Sequence, residues 1–179
     1  MKLMILRHAP ALTGGRLAGR RDVDADCSDR DAFARMATRL GEIGEVLSSP
    51  ARRCLQTAVA LGLGDPPTRA ALWEQDHGAW EGMALDRLPD LGRMSPADLA
   101  RHRPDGGESF DDMAARVRPE IEALRGDCLI VAHAGTVRAA LAMVVGPAAL
   151  SFAVAPLSLT VLRRAGPDWS VEAVNVTAP

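Results

Sequence analysis

Two short runs in this chain contain no polar side chain. Leu3–Leu6 lies near the start, and Cys128–Ala132 lies far along. Runs of this length and character read as buried strands. Each stops abruptly on a titratable group: Arg7 and His8 follow the first, His133 the second. Any fold for this chain must bury both runs and still leave their ends accessible.

The intervening segments alternate between strand and helix signals. Glu45–Ser49 and Thr68–Trp73 read as further strands. Ser28 is placed to cap a helix with Phe33, Met36, Ala37 and Leu40 on one face. Ser49 is placed to cap a second, with Pro50 at its first position. Ser109 opens a third, whose apolar face holds Phe110, Met113, Ala114, Val117, Ile121 and Leu124. Pro119 is expected to kink or break it near Arg118. Gly135–Val145 reads as a helix. Leu157–Arg163 and Trp169–Val176 read as strands joined by a Gly-Pro-Asp turn. This alternation predicts an α/β protein, a three-layer α/β/α sandwich with a mostly parallel sheet and an antiparallel edge strand.

A chain of 179 residues is expected to form one domain, 1–179. Within it, 84–107 is rich in Pro and Gly and reads as a surface excursion near the site, with a short helix from Ser95-Pro96. The formal net charge of −2 points to neither nucleic acid nor an anionic membrane as partner. Cys27, Cys54 and Cys128 are odd in number and far apart, which predicts a reducing, cytoplasmic setting rather than a disulfide framework. The apolar stretch Ala139–Val145 is too short to span a bilayer.

In sheets of this kind ligands bind beyond the carboxyl ends of the strands. Arg7 and His8, His133, and the first turn of the helix carrying Arg52 and Arg53 all fall there. Arginine forks suit oxyanions, and the helix starts after Ser49 and His133 offer free N–H groups. The residues alone therefore lead to an oxyanion site, with phosphate the natural ligand and a histidine able to act as nucleophile.

Several segments also resemble a known family. LRHAP resembles the LRHG signature of the histidine phosphatase superfamily, in its phosphoglycerate mutase-like branch. SSPARRCLQTA resembles its second motif, with the motif arginine on Arg53 rather than Arg52. WEQDHGAWEG resembles its acidic motif, with the glutamate on Glu74. PDGGESFDDMAARV resembles a segment of its smaller members, and VAHAGTVRAAL its second-histidine motif, on His133. The resemblance implies that His8 attacks phosphorus, that Arg7, Arg53 and His133 cradle the phosphoryl oxygens, and that Glu74 serves as acid and then base. It implies no metal and no cofactor, since the cations are side chains.

The chain departs from the family pattern in several places. Ala9, Pro10, Ala11 and Leu12 stand where Gly, an acid or amide, and Thr are usual, an asparagine is missing near Gly14-Gly15, and His77 replaces an aromatic. Arg20, in GRRDVD, resembles a loop near the family's site and is a candidate substrate contact, whereas Trp80, Glu81 and Gly82 read as structural. The short length and the WEG and GES segments most resemble α-ribazole phosphatase and broad small-molecule phosphatases. The expected partner is a small phosphorylated metabolite, and the expected state is a monomer or homodimer. Three other readings stay open: a phosphoglycerate mutase-type phosphotransferase, a catalytically silent phosphate-binding protein, and a metal hydrolase using His8, His77 and His133.

Overall fold

A computed structural model describes residues 1–178; Pro179, the last residue of the expected domain, lies outside them. The strands are β1 (Lys2–Arg7), β2 (Glu45–Ser48), β3 (Cys128–Ala132), β4 (Leu159–Ala165) and β5 (Asp168–Val176). The helices are α1 (Arg30–Leu40), α2 (Arg52–Ala60), α3 (Pro96–Arg101), α4 (Phe110–Glu122) and α5 (Ala134–Val145). The sheet order is β2-β3-β1-β4-β5. β1 and β2 both run parallel to β3, with Ile5 and Leu47 each opposite Ile130. β4 is antiparallel to β1, and β5 to β4. The parallel core is thus three strands, and the antiparallel edge is a hairpin.

Side chains alternate across a strand, which divides the core in two. Leu3, Ile5 and Ile130 pack with Met113, Val117 and Ile121 of α4 and with Val137 and Leu141 of α5. Met4, Leu6, Leu129 and Val131 pack on the other face with Phe33, Met36 and Leu40 of α1 and with Cys54 and Ala58 of α2. These β1 and β3 side chains are almost wholly buried. Three layers result, with both β1 and β3 covered on both faces.

Local details differ from the expectations. Thr68–Trp73 is not a strand: it makes one bridge, Ser48 to Thr68, and then turns through a 3₁₀ segment at Ala70–Leu72. The carbonyls of Ala71 and Trp73 are taken by the Arg116 guanidinium at 2.6 and 2.8 Å, so they cannot serve a ladder. α1 is capped by Asp29 rather than Ser28, with its carboxylate accepting from the Ala32 amide at 2.9 Å. α2 starts at Arg52, and its N-cap Ala51 has no side-chain bond. Ser49 does not cap it in the expected way, because its hydroxyl faces His133 instead. α4 runs through Pro119 to Glu122, anchored by buried Val117 and Ile121, and opens on a capping box between Ser109 and Asp112. Leu157 has φ of 51°, which excludes it from a strand, so β4 begins at Leu159. The apolar stretch Ala134–Ser151 is longer than expected and matches a membrane span in length and hydropathy. In the fold it is α5 plus a 3₁₀ segment broken by Gly146-Pro147, and Val137, Ala139, Ala140 and Leu141 are buried against the sheet.

Candidate active site

β1 delivers Arg7 and His8 to the carboxyl end of the sheet. The His8 amide donates to the Ala132 carbonyl at 2.9 Å, which continues the β1–β3 register one residue beyond Arg7. His8 Nδ1 lies 2.7 Å from the Ala9 carbonyl oxygen. That oxygen can only accept, so Nδ1 carries the hydrogen and Nε2 keeps its lone pair. Arg7 donates through Nη1 to the Val154 carbonyl at 2.5 Å. Ala9 is fully buried, with its amide on the Thr57 hydroxyl at 2.9 Å, so the departure from glycine at this position is accommodated within the core.

Arg53 is 1% exposed, an unusual position for a guanidinium. Its Nη1 and Nη2 donate to the carbonyls of Arg21 and Gly19 at 3.0 and 2.8 Å. That loop is held in turn by Glu81. The Glu81 carboxylate accepts from the amides of Gly19, Arg20 and Arg21, and from His77 at 3.2 Å. Glu81, read from the sequence as merely structural, therefore organises the loop that orients Arg53. Arg52 turns away, ion-paired with Asp24 at 2.6 Å and exposed.

Glu74 lies on the far side of the cleft. Its Oε1 accepts from the Gln75 amide at 3.0 Å and its Oε2 from the Gly135 amide at 3.3 Å, at the start of α5. A Cβ at position 135 would stand 2.1 Å from Glu74 Oε1 and 2.6 Å from Met113 Sδ, so only glycine leaves room. The backbone of 71–74 is fixed by Arg116, which also reaches the Glu74 carbonyl at 3.0 Å and pairs with Glu108 at 2.7 Å. Arg20 does not join the cleft. It sits over the Trp73 ring at 5.8 Å and reaches Glu108 at 3.5 Å.

His133 is fully buried behind His8, with ring centroids 5.2 Å apart and planes near perpendicular. Its Nε2 is paired with the Ser49 hydroxyl at 2.8 Å. Trp73 stacks parallel to it at 6.4 Å. Arg7, His8, Arg53 and Glu74 line one cleft of about 380 Å³, together with Thr13, Arg16, His77 and Leu85. Arg16 and Ser49 carry no motif that the sequence reading isolated, and only the fold brings them here. Among the described residues, no three histidine, cysteine or carboxylate side chains converge as a metal site requires.

Burial, reinforced by Arg53 and Arg7 and opposed by the Ala9 carbonyl, pushes His8 down from 6.5 to about 3. His133 is lowered well below its ordinary value, again chiefly by burial and then by Arg53. Both rings are neutral at pH 7. Between the two His8 values the unfolded chain binds a proton that the folded chain refuses, so stability falls as pH drops from 6.5 toward 3. Urea midpoints should be lower at pH 4.5 than at pH 7, and His8→Asn should flatten that dependence. An unchanged slope in the variant would show that His8 is not the buried neutral group described.

A family model described as histidine phosphatase superfamily (branch 1) matches residues 3–177. The chain belongs to the histidine phosphatase superfamily. A glucosyl-3-phosphoglycerate phosphatase from Mycolicibacterium vanbaalenii is 32% identical over 167 residues, covering 81% of this chain and 74% of that one. The bifunctional protein Rv2228c of Mycobacterium tuberculosis is 42% identical over 113 residues, but the match spans 58% of this chain and 29% of that protein. Among solved structures, the mycobacterial glucosyl-3-phosphoglycerate phosphatase Rv2419c superposes with a TM-score of 0.85 at 26% identity over 99% of both chains. The TTHB049 protein of Thermus thermophilus gives a TM-score of 0.81 at 25% identity, covering 98% of this chain and 99% of that one. The fold of this histidine phosphatase is thus shared along its whole length with relatives of similar size.

Proposed function

We propose that the chain hydrolyses a small phosphorylated sugar or sugar acid through a phosphohistidine on His8, without a metal ion. The observation that carries this is the His8 tautomer: Nδ1–H is tied to the Ala9 carbonyl, and His8 lines the cleft between two arginines with its Nε2 lone pair free. Nε2 attacks phosphorus as the ester P–O bond breaks, and Glu74 passes a proton to the departing alkoxide. Water then attacks the phosphohistidine, Glu74 takes its proton, the N–P bond breaks and phosphate leaves. Arg7 and Arg53 carry the charge on the phosphoryl oxygens throughout. The His133 Nε2–H would pass from Ser49 to one of those oxygens.

The substrate class follows the relatives' names, which specify glucosyl-3-phosphoglycerate phosphatases. α-Ribazole 5'-phosphate ranks second, since none of the relatives above is named for it. The cleft is open to water, which favours hydrolysis over transfer to a second hydroxyl. The buried free thiols Cys54 and Cys128 fit a cytoplasmic setting.

Rapid quench with phosphate-labelled 3-phosphoglycerate should trap an acid-labile, base-stable label on His8. Label on serine or aspartate would refute the mechanism. Arg53→Ala should lower kcat/KM at least about tenfold and weaken inhibition by vanadate, as expected for losing a charge-assisted contact. Arg52→Ala should stay within about twofold, because exposed ion pairs contribute little. Greater sensitivity at Arg52 would reverse the assignment.

A further inference from the structure

Arg16 on the cleft rim is a cation that the phosphoryl chemistry does not use. It lies on a fixed wall. The Leu17 amide donates to the Met83 carbonyl at 2.8 Å, the Gly82 amide to the Leu17 carbonyl at 2.9 Å, and the Leu85 amide to the Gly15 carbonyl at 3.0 Å. Residue 16 itself bridges to Ala84 in antiparallel fashion. Arg16 is exposed, and its Nη1 donates to the Gly82 carbonyl at 2.9 Å. Among the described residues its only side-chain hydrogen-bond partner is that carbonyl, and no carboxylate pairs with it. Its remaining donors are open to a ligand.

The charges in the cleft do not balance on a phosphate alone. Its walls carry three guanidinium groups, Arg7, Arg16 and Arg53, against one carboxylate, Glu74. When Glu74 holds the proton it must donate, that carboxylate is neutral. A phosphomonoester dianion then satisfies the two deep arginines and leaves one positive charge uncompensated at the rim. Arg7 and Arg53 are anchored to backbone carbonyls at the bottom, so the leaving group must extend toward the rim. A single negative charge on that group would complete the balance, and a planar carboxylate matches the guanidinium fork.

We infer that Arg16 is a specificity residue that binds a carboxylate on the leaving alcohol. The inference rests on the phosphatase reading above and narrows it: phosphate esters of hydroxy acids are favoured over esters of neutral alcohols, including nucleoside-like ones such as α-ribazole 5'-phosphate.

Two esters isolate the carboxylate. 3-Phosphoglycerate and glycerol 3-phosphate differ in having a carboxylate or a hydroxymethyl group at the same carbon. The wild-type chain should prefer the former by at least about tenfold in kcat/KM, the worth of one charge-assisted contact. Arg16→Gln should reduce that ratio at least about fivefold, and Arg16→Lys should retain most of it. Equal kcat/KM for the two esters, or a ratio untouched by Arg16→Gln, overturns the inference. Binding of the same esters to the His8→Ala protein provides a readout that needs no turnover. A carboxylate preference there that disappears in the His8→Ala, Arg16→Gln double variant, with no hydrolysis by wild type of these esters or of an aryl phosphate, would sustain the Arg16 subsite and refute the phosphatase reading.

Discussion

His8→Ala is expected to fold and to lose at least about 10⁴-fold in kcat, as removal of a covalent nucleophile does elsewhere. The folding half of this expectation follows from its surroundings. His8 holds its strand register through its backbone amide and carbonyl, to Ala132 and Leu157, and both survive truncation. Its side chain contributes one bond, to the carbonyl of its own neighbour Ala9. The cavity left beside His133 opens to the cleft and can fill with water. Circular dichroism and a urea midpoint at pH 7 would establish the fold, and phosphate release from an aryl ester would measure the loss. Residual turnover within about 100-fold of wild type would show that water, activated by another group, attacks phosphorus directly.

The second large effect concerns Glu74. An aryl leaving group departs with little help from an acid, whereas an alkyl alkoxide needs a proton in the transition state. Glu74→Gln preserves the shape and its bonds to the amides of Gln75 and Gly135, because the amide oxygen can accept either. Phosphoryl transfer from an alkyl ester should then slow by about 10²–10⁴-fold, the usual worth of general acid catalysis. Transfer from an aryl ester should slow far less, and its defect should shift to hydrolysis of the phosphohistidine, where water has lost its base. Stopped-flow measurement should show a burst of aryl alcohol followed by slow turnover. Equal losses on both ester types, with no burst, would mean that Glu74 only braces the site and that the proton comes from elsewhere.

How much of this arrangement could be read without the fold depends on the range over which each residue acts. β1 and β3 were legible because their burial on both faces leaves an uninterrupted apolar run, and the groups that follow such runs fall at the sheet's carboxyl edge. Arg53 was separated from Arg52 by resemblance, and the structure supplies the physical difference: one helical step turns Arg53 into the protein and Arg52 out to Asp24. Thr68–Trp73 misled because its β-type composition is local, while the Arg116 side chain that claims its carbonyls lies over 40 residues further on. Ser49 misled for the same reason. Its position before Pro50 is a cap signal, but His133, 84 residues away, takes its hydroxyl. Glu81 and Arg16 act through loops whose meeting no periodicity announces.

The Glu81 carboxylate has a consequence for how the protein comes apart. It joins the amides of 19–21 to that of His77, bridging about 60 residues of chain, and those same residues hold Arg53 from α2. Ala9 is tied to Thr57 across 48 residues and Glu74 to Gly135 across 61. The contacts that join the cleft walls close long loops, and long loops close late and open together. The cleft is therefore not a locally stable unit that could persist in a fragment or in a partly opened chain. Under denaturant, phosphate release should decline along the same curve as the loss of the sheet, which makes activity itself a faithful gauge of global folding.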